Sequence, residues 1–455
     1  MFEYLTVLRK PAFLLLLLAL TLQAQSSTNP PPDERYKADL LVVVAHPDDE
    51  TEIGAYLARI IFDGHKRVAV VFGNHGATGG NAEGQEQSQA LADIREIEAR
   101  RALEHFGVMN VWFLGGYDTA GQDVLRSLEH WNHADQLGRL VRIIRLTRPS
   151  VIATWLPDYV AGENHGDHQA AGVIATEAFD LAADPAVFSE QVATPRDRSN
   201  INNLTEGLRP WQAPKIYYFT DASHTDFLAG KGPVYSSRDE SPSRRVSYAR
   251  LAAEECSYHL TQGDTGQMAR ESLEKNDLHY FEEPVRLIFG KSLVPSSPTA
   301  DVFEGVRPEA IPYQPPRGFL PQQVSKSFQL GGPWEFYRTF WAAHGLLNLA
   351  QLVGPETLVN YESPFTVPLV LDNPTDQAIT VPITAKLPPG WIYWRQPPAK
   401  VSVGPHSEAT FSFQVRSPVK KTGDTATTWG EITVLAGDNR EVRLRIGVDG
   451  GAMPE

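Results

Sequence analysis

The sequence predicts an α/β domain built on a Rossmann-like, mostly parallel sheet with helices on both faces, followed by an all-β, immunoglobulin-like sandwich. Three observations carry this. Unbroken apolar runs alternate with helical patterns from Ala38 to about Pro295. The apolar period then changes to two between about Pro355 and Val448. Hydrophobic residues at 42% and charged residues at 21% give ordinary globular proportions over 455 residues, a length for two or three domains.

The first element is not part of either domain. Arg9 and Lys10 precede an apolar run from Pro11 to Leu22, and Leu22-Gln23-Ala24 places a small residue where a signal peptidase cuts. The run is too short to cross roughly 30 Å of hydrocarbon, so residues 1–24 read as an export signal, and no later stretch approaches a membrane span. The expected location of the mature chain is therefore extracellular or periplasmic.

Within residues 38–295 the first strand is Leu40–Ala45, continuously apolar, as a strand covered on both faces must be. A helical segment near Ile53 to Asp63 leads to a second strand, Val68–Phe72. Val111–Leu114 and Val151–Trp155 are the third and fourth. Between these two, Leu137, Leu140, Val141 and Ile144 recur at i, i+3, i+4 and i+7, an amphipathic helix, and Ala171, Ile174, Ala175 and Ala178 repeat the spacing after strand four. Residues 296–354 are rich in Pro and carry Trp334, Phe336, Tyr337, Phe340 and Trp341; they form a connecting segment with no assigned element. From 355 to 448, Phe365, Val367, Leu369 and Leu371 alternate with neighbours facing the other way, as do Ile379, Val381 and Ile383, then Phe411, Phe413 and Val415, then Val442, Leu444 and Ile446. Turn residues at Asp372-Asn373-Pro374, Pro388-Pro389-Gly390, Gly404-Pro405 and Gly437-Asp438-Asn439 separate the strands.

Composition narrows the function. With 41 Lys and Arg against 55 Asp and Glu the net charge is −14, which argues against nucleic acid as a partner. The single cysteine, Cys256, excludes an intrachain disulfide and any paired-cysteine metal site. No obligate protein partner is evident.

Two clusters carry chemistry. His46-Pro47-Asp48-Asp49-Glu50 follows strand one, and His165-Gly166-Asp167-His168 follows strand four. Ligands of open α/β sheets bind beyond the carboxyl ends of the strands, so both clusters are expected at one edge. Imidazoles and a carboxylate with open positions suit a catalytic divalent ion, because structural sites fill all their positions and usually recruit cysteine. Two histidines three residues apart let one ligate while the other faces substrate.

These motifs resemble the PIG-L/LmbE family of zinc-dependent N-acetylglucosaminyl de-N-acetylases. The resemblance covers about residues 38–288 and includes the Gly-rich His75–Gly80 loop, Arg95 and Glu98, and Tyr258-His259-Leu260-Thr261-Gln262. It implies that His46, Asp49 and His168 ligate zinc, with Fe2+ or another divalent ion as the alternative metal. It also implies that Asp48 is the general base and that His165, if protonated, stabilises the oxyanion. Asp167 is a candidate to orient a neighbouring imidazole, or else caps a local turn. Arg95 and His259 are candidate substrate contacts, and the Gly-rich loop, lacking a P-loop lysine, is a flexible pocket wall. The expected activity is removal of acetyl from an N-acetylated amino sugar or glycoconjugate. Two other readings stay open: a non-catalytic glycan-binding protein with a vestigial metal site, and a non-haem iron oxygenase using Asp48 as its carboxylate ligand. The sandwich is similar to those attached to α-galactosidases, and serves either as a spacer or as a sugar-binding module.

Overall fold

A computed structural model describes residues 33–159, 165–192, 208–222, 225–307, 309–315, 327–350, 352, 354–421 and 426–448. The expected export signal lies outside them, as do residues 160–164 and 193–207.

The chain begins with β1 (Leu40–Val44), α1 (Gly54–Ala58), β2 (Val68–Phe72), α2 (Gln89–His105), β3 (Asn110–Phe113), α3 (Val124–His130), α4 (His133–Thr147), β4 (Val151–Trp155), α5 (Gly166–Leu181) and β5 (Lys215–Phe219). A short ribbon, β6 (Val234–Tyr235) with β7 (Val285–Arg286), brackets α6 (Tyr248–Cys256) and α7 (Met268–Lys275), and β8 (Ile288–Ser292) follows. The main sheet has the order β3-β2-β1-β4-β5-β8, parallel except for β8. All five residues of β1, β2, β4 and β5 are buried, which is why these runs are apolar without alternation. Helices α3, α4 and α5 pack together, with α5 lying on β1 and β4; α1 and α2 meet α6 in a second group. Right-handed crossovers put these groups on opposite faces of the sheet.

Topology fixes where a ligand can sit. From β1 the chain moves outward to β2 and β3, and from β4 it moves the other way to β5. The carboxyl ends of β1 and β4, neighbours in register from Leu40↔Val151 to Val43↔Thr154, therefore flank the crevice left where the winding reverses. The first motif begins just after β1, and the second opens the helix that follows β4.

The rest of the described chain comprises β9 (Phe328–Leu330), α8 (Pro333–Ala343), β10 (Glu356–Val359), β11 (Pro364–Asn373), β12 (Ile379–Lys386), β13 (Ile392–Arg395), β14 (Lys400–Val403), β15 (Ser407–Arg416), β16 (Thr428–Ala436) and β17 (Arg440–Val448). They form two sheets, β10-β17-β16-β12-β14 and β13-β15-β11-β9, antiparallel apart from the β10–β17 pair. Val367, Leu369 and Leu371 face inward with Phe413, Val415, Ile432, Val434, Leu444 and Ile446, following the period-two pattern. The segment that the sequence left unassigned contributes a strand: Phe328–Leu330 pairs with Leu369–Leu371 of β11. It also contributes α8, started by Pro333 in its first turn. Among the described residues no helix is long and apolar enough to cross a membrane.

Candidate metal centre

The turn after β1 is built around Asp49. Its Oδ2 accepts from the Ala45 amide at 2.8 Å, the His46 amide at 3.0 Å and the Trp155 indole Nε1 at 2.6 Å. That oxygen is saturated by donors. The other, Oδ1, lies 3.5 Å from His46 Nδ1 and 3.3 Å from His168 Nε2. Two donors held about 2.0–2.1 Å from a tetrahedral ion stand roughly 3.4 Å apart, so each of these two separations fits a pair of ligands on one divalent ion, and ring nitrogens of His46, His165 and His168 also lie within 4.8 Å of one another. Trp155, the last residue of β4, also stacks on the His168 ring at 4.2 Å and 6°, fixing its plane.

The other side of His46 is equally committed. Its Nε2 is 3.5 Å from Asp118 Oδ1 and 3.5 Å from Asp167 Oδ2, which leaves Nδ1 as the nitrogen facing Asp49. Asp167 is fully buried and is steadied by Asn74 Nδ2 and the Thr119 amide, each at 2.9 Å. The Thr78 amide holds Asp118 Oδ2 at 2.7 Å. Burial opposes a charge on His46, yet the neighbouring carboxylates, Asp49 first, raise it well above the ordinary imidazole value. Burial likewise opposes the Asp49 carboxylate, while His168 and His46 hold it well below the usual range. A pocket that attracts positive charge this strongly suits a cation.

Asp48 and His165 flank these donors. Asp48 sits at φ 109° and ψ −20°, a left-handed conformation uncommon for a residue with a Cβ. Thr265 Oγ1 donates to its Oδ2 at 3.0 Å. Burial and the charge of Asp49 push Asp48 up to about 7. The His165 ring lies 4.7 Å from that of His46 and 5.1 Å from that of His168. Burial and the two neighbouring imidazoles push it down to about 3, which opposes the protonation that the sequence reading made the condition of its role. Its Nδ1 accepts from the Asp167 amide at 3.3 Å, which assigns the ring hydrogen to Nε2.

The structure turns the two sequence-derived substrate contacts inward. Arg95 is buried and donates to the Gly76 carbonyl at 2.6 Å, the Gly80 carbonyl at 2.7 Å and Thr261 Oγ1 at 3.4 Å. A Cβ on Gly76, which has φ +66°, or on Gly79 would come within 2.7 Å of its guanidinium. The Gly-rich loop is thus braced against Arg95, where the sequence reading had a flexible wall. Glu98 receives the Thr261 amide at 3.1 Å and its hydroxyl at 2.7 Å, so the three weaker motifs form one network. His259 is fully buried, with Nε2 3.0 Å from Glu50 Oε1, out of reach of a substrate.

Asp118, Trp155, Asn74 and Thr265 were not singled out from the sequence. The signal for Asp118 and Trp155 was positional, since Trp155 ends β4 and Asp118 lies in the segment that follows the carboxyl end of β3. The oxygenase reading required Asp48 as ligand, but it is Asp49 that stands between the imidazoles.

Residues 41–179 match the family model described as PIG-L: GlcNAc-PI de-N-acetylase. A 1D-myo-inositol 2-acetamido-2-deoxy-alpha-D-glucopyranoside deacetylase of Streptomyces avermitilis is 32% identical over 202 residues, 41% of this chain and 61% of that protein. Deacetylase 1 of the same name from Catenulispora acidiphila is 29% identical over 216 residues, 44% of this chain and again 61% of its own length. The chain thus spans about three fifths of the curated relatives it matches. Among solved structures, N,N'-diacetylchitobiose deacetylase from Pyrococcus horikoshii aligns with a TM-score of 0.39 at 16% identity, covering 63% of this chain and 94% of that one.

Proposed function

We propose that this chain, whose residues 41–179 form a PIG-L-family domain, is an exported zinc-dependent amidohydrolase that removes acetyl from an N-acetylated amino sugar or glycoconjugate. The observation that carries the reading is Asp49 Oδ1, set 3.5 Å from His46 Nδ1 and 3.3 Å from His168 Nε2, with Asp48 the preceding residue in the chain. Relatives named as deacetylases of a 2-acetamido sugar support the substrate class. The basic and apolar N-terminal run supports export.

His46, Asp49 and His168 would hold the ion. Zinc bound there supplies Lewis acidity, polarising the amide carbonyl and acidifying water. Asp48, raised to about 7, is poised to take a proton from water near neutrality and to pass it to the leaving nitrogen. His165, neutral and with hydrogen on Nε2, donates to the carbonyl oxygen as charge develops there. The bond formed is carbon to water oxygen, the bond broken is carbon to nitrogen, and the products are acetate and a free amino sugar.

The test is acetate release from N-acetylated sugars and oligosaccharides by the zinc-loaded protein, with and without chelator. Release that chelator abolishes and zinc restores is expected. Asp48→Asn should retain zinc while turnover falls by about 10²–10⁴-fold. Absence of release across the panel, or full activity in Asp48→Asn, would refute the assignment.

A further inference from the structure

We propose that His259 is a positioning residue that sets the place of the general base through Glu50; the proposal rests on the reading of Asp48 as that base. His259 and Glu50 are both fully buried, and His259 Nε2 lies 3.0 Å from Glu50 Oε1. The other oxygen of Glu50 accepts the Asp48 amide at 3.0 Å. Asp48 is the residue at φ 109°, a conformation that persists only where the surroundings enforce it.

His259 does not act alone. Gln262 Nε2 donates to the Pro47 carbonyl at 2.5 Å, and Thr265 Oγ1 donates to the Asp48 carboxylate at 3.0 Å. Three side chains from the segment 259–265 thus hold three points of the 47–50 turn: the Pro47 carbonyl, the Asp48 carboxylate and Glu50. Glu255, on the preceding helix, is also fully buried, and a carboxylate oxygen of it lies within 4.8 Å of one of Glu50 and of a ring nitrogen of His259. The segment is itself pinned, because its backbone passes so close to Gly266 that a Cβ there would lie 1.9 Å from the His259 carbonyl oxygen. None of these contacts reaches the metal-ligating atoms. They fix the backbone that carries Asp48, and so decide where its carboxylate stands relative to the ion and the amide.

The experiment compares the full chain, zinc-loaded, with His259→Ala and His259→Gln. It reads zinc content, kcat and KM for acetate release, and hydrogen exchange at the Asp48 amide. His259→Ala should keep its zinc and nearly the same KM, while kcat falls by about 10–10²-fold, the loss that follows from a displaced catalytic group. Exchange at Asp48 should rise about tenfold or more as its amide loses Glu50. His259→Gln, whose amide still donates to Glu50, should restore most of both. If His259→Ala does not fold, His259→Asn, too short to place a donor at the Nε2 position facing Glu50, carries the same expectation. Unchanged kcat and unchanged exchange in the alanine variant overturn the proposal, as does a kcat loss that tracks zinc loss. A wild-type protein that releases no acetate, yet whose Asp48 amide is exposed by His259→Ala, would sink the proposed activity and leave the clamp standing.

Discussion

At the residue scale, Asp49 shows how one carboxylate is divided between structure and chemistry. Three donors hold Oδ2 so that Oδ1 points at two imidazoles. Trp155→Phe keeps a ring to stack on His168 but removes the indole donor. Zinc affinity should fall by about 10–100-fold, the usual effect of removing a partner behind a ligand, as read by competition with a chelator; an unchanged affinity would mean the indole bond is idle. The candidate ligands were named from the resemblance carried by the motifs after strands one and four, His46-Pro47-Asp48-Asp49-Glu50 and His165-Gly166-Asp167-His168. Trp155 was not, because a tryptophan ending a buried strand reads as core. Its partner Asp49 is 106 positions away. Behind the base, burial and then the charge of Glu50 raise Glu255 well above its ordinary value near 4.5. A carboxyl raised on folding binds its proton more tightly in the folded state, so stability falls as pH climbs from that ordinary value toward the folded one. Burial opposes the charge on His259, but Glu50 raises it to about 9, so its contribution is full below 6.5 and lost as pH rises through 9. Both push the melting temperature down between acid and alkaline pH. Glu255→Gln, neutral and of the same shape, should gain on the wild type as pH rises; a difference independent of pH would show that Glu255 is not raised.

At the element scale, the junction of β4 and α5 positions half the site. Gly172 lies one turn beyond His168, and a Cβ there would sit 2.4 Å from the Trp155 carbonyl oxygen and 2.9 Å from Pro157. The helix packs this closely on the strand only because the residue is glycine. Gly172→Ala should lift α5 from β4, costing about 1–3 kcal/mol by overpacking and loosening zinc with it, since His168 rides on the helix. Thermal unfolding and zinc competition check both effects, and an unshifted melting temperature would show that the junction yields without cost. The strands β1, β2 and β4 were legible as apolar runs, and α4 by its helical period. What was not legible was α8. Trp334, Tyr337 and Trp341 do recur at helical spacing and are buried, but the prolines and glycines around them masked the pattern. The strand β9, three residues long, is too short to show a period at all.

At the scale of the whole molecule, the elements after residue 327 are fastened to the loops and helix that carry the site. Tyr337 of α8 donates to Gln169 Oε1 at 2.9 Å, next in sequence to the candidate ligand His168. Trp334 packs edge-on against Tyr159, beyond β4, and Gln122 Nε2 reaches the Leu358 carbonyl of β10 at 3.2 Å. Asp180 of α5 takes Lys291 at 2.6 Å on one oxygen and His344 at 2.8 Å on the other. These are buried or partly buried contacts, and the apolar side chains of both regions form one continuous core. The composition change near residue 355 read as a domain boundary. Energetically it is not a clean one, because helix α8 before it packs on the first sheet's α5 and strand β9 joins the second sheet. The chain should therefore unfold in a single transition. Tyr337→Phe leaves the packing intact and strips Gln169 of a buried donor, so that transition should move down by about 1–3 kcal/mol. Two separate transitions in the wild type, with the substitution shifting only one of them, would mean that the C-terminal sheets hang on the first domain without supporting it.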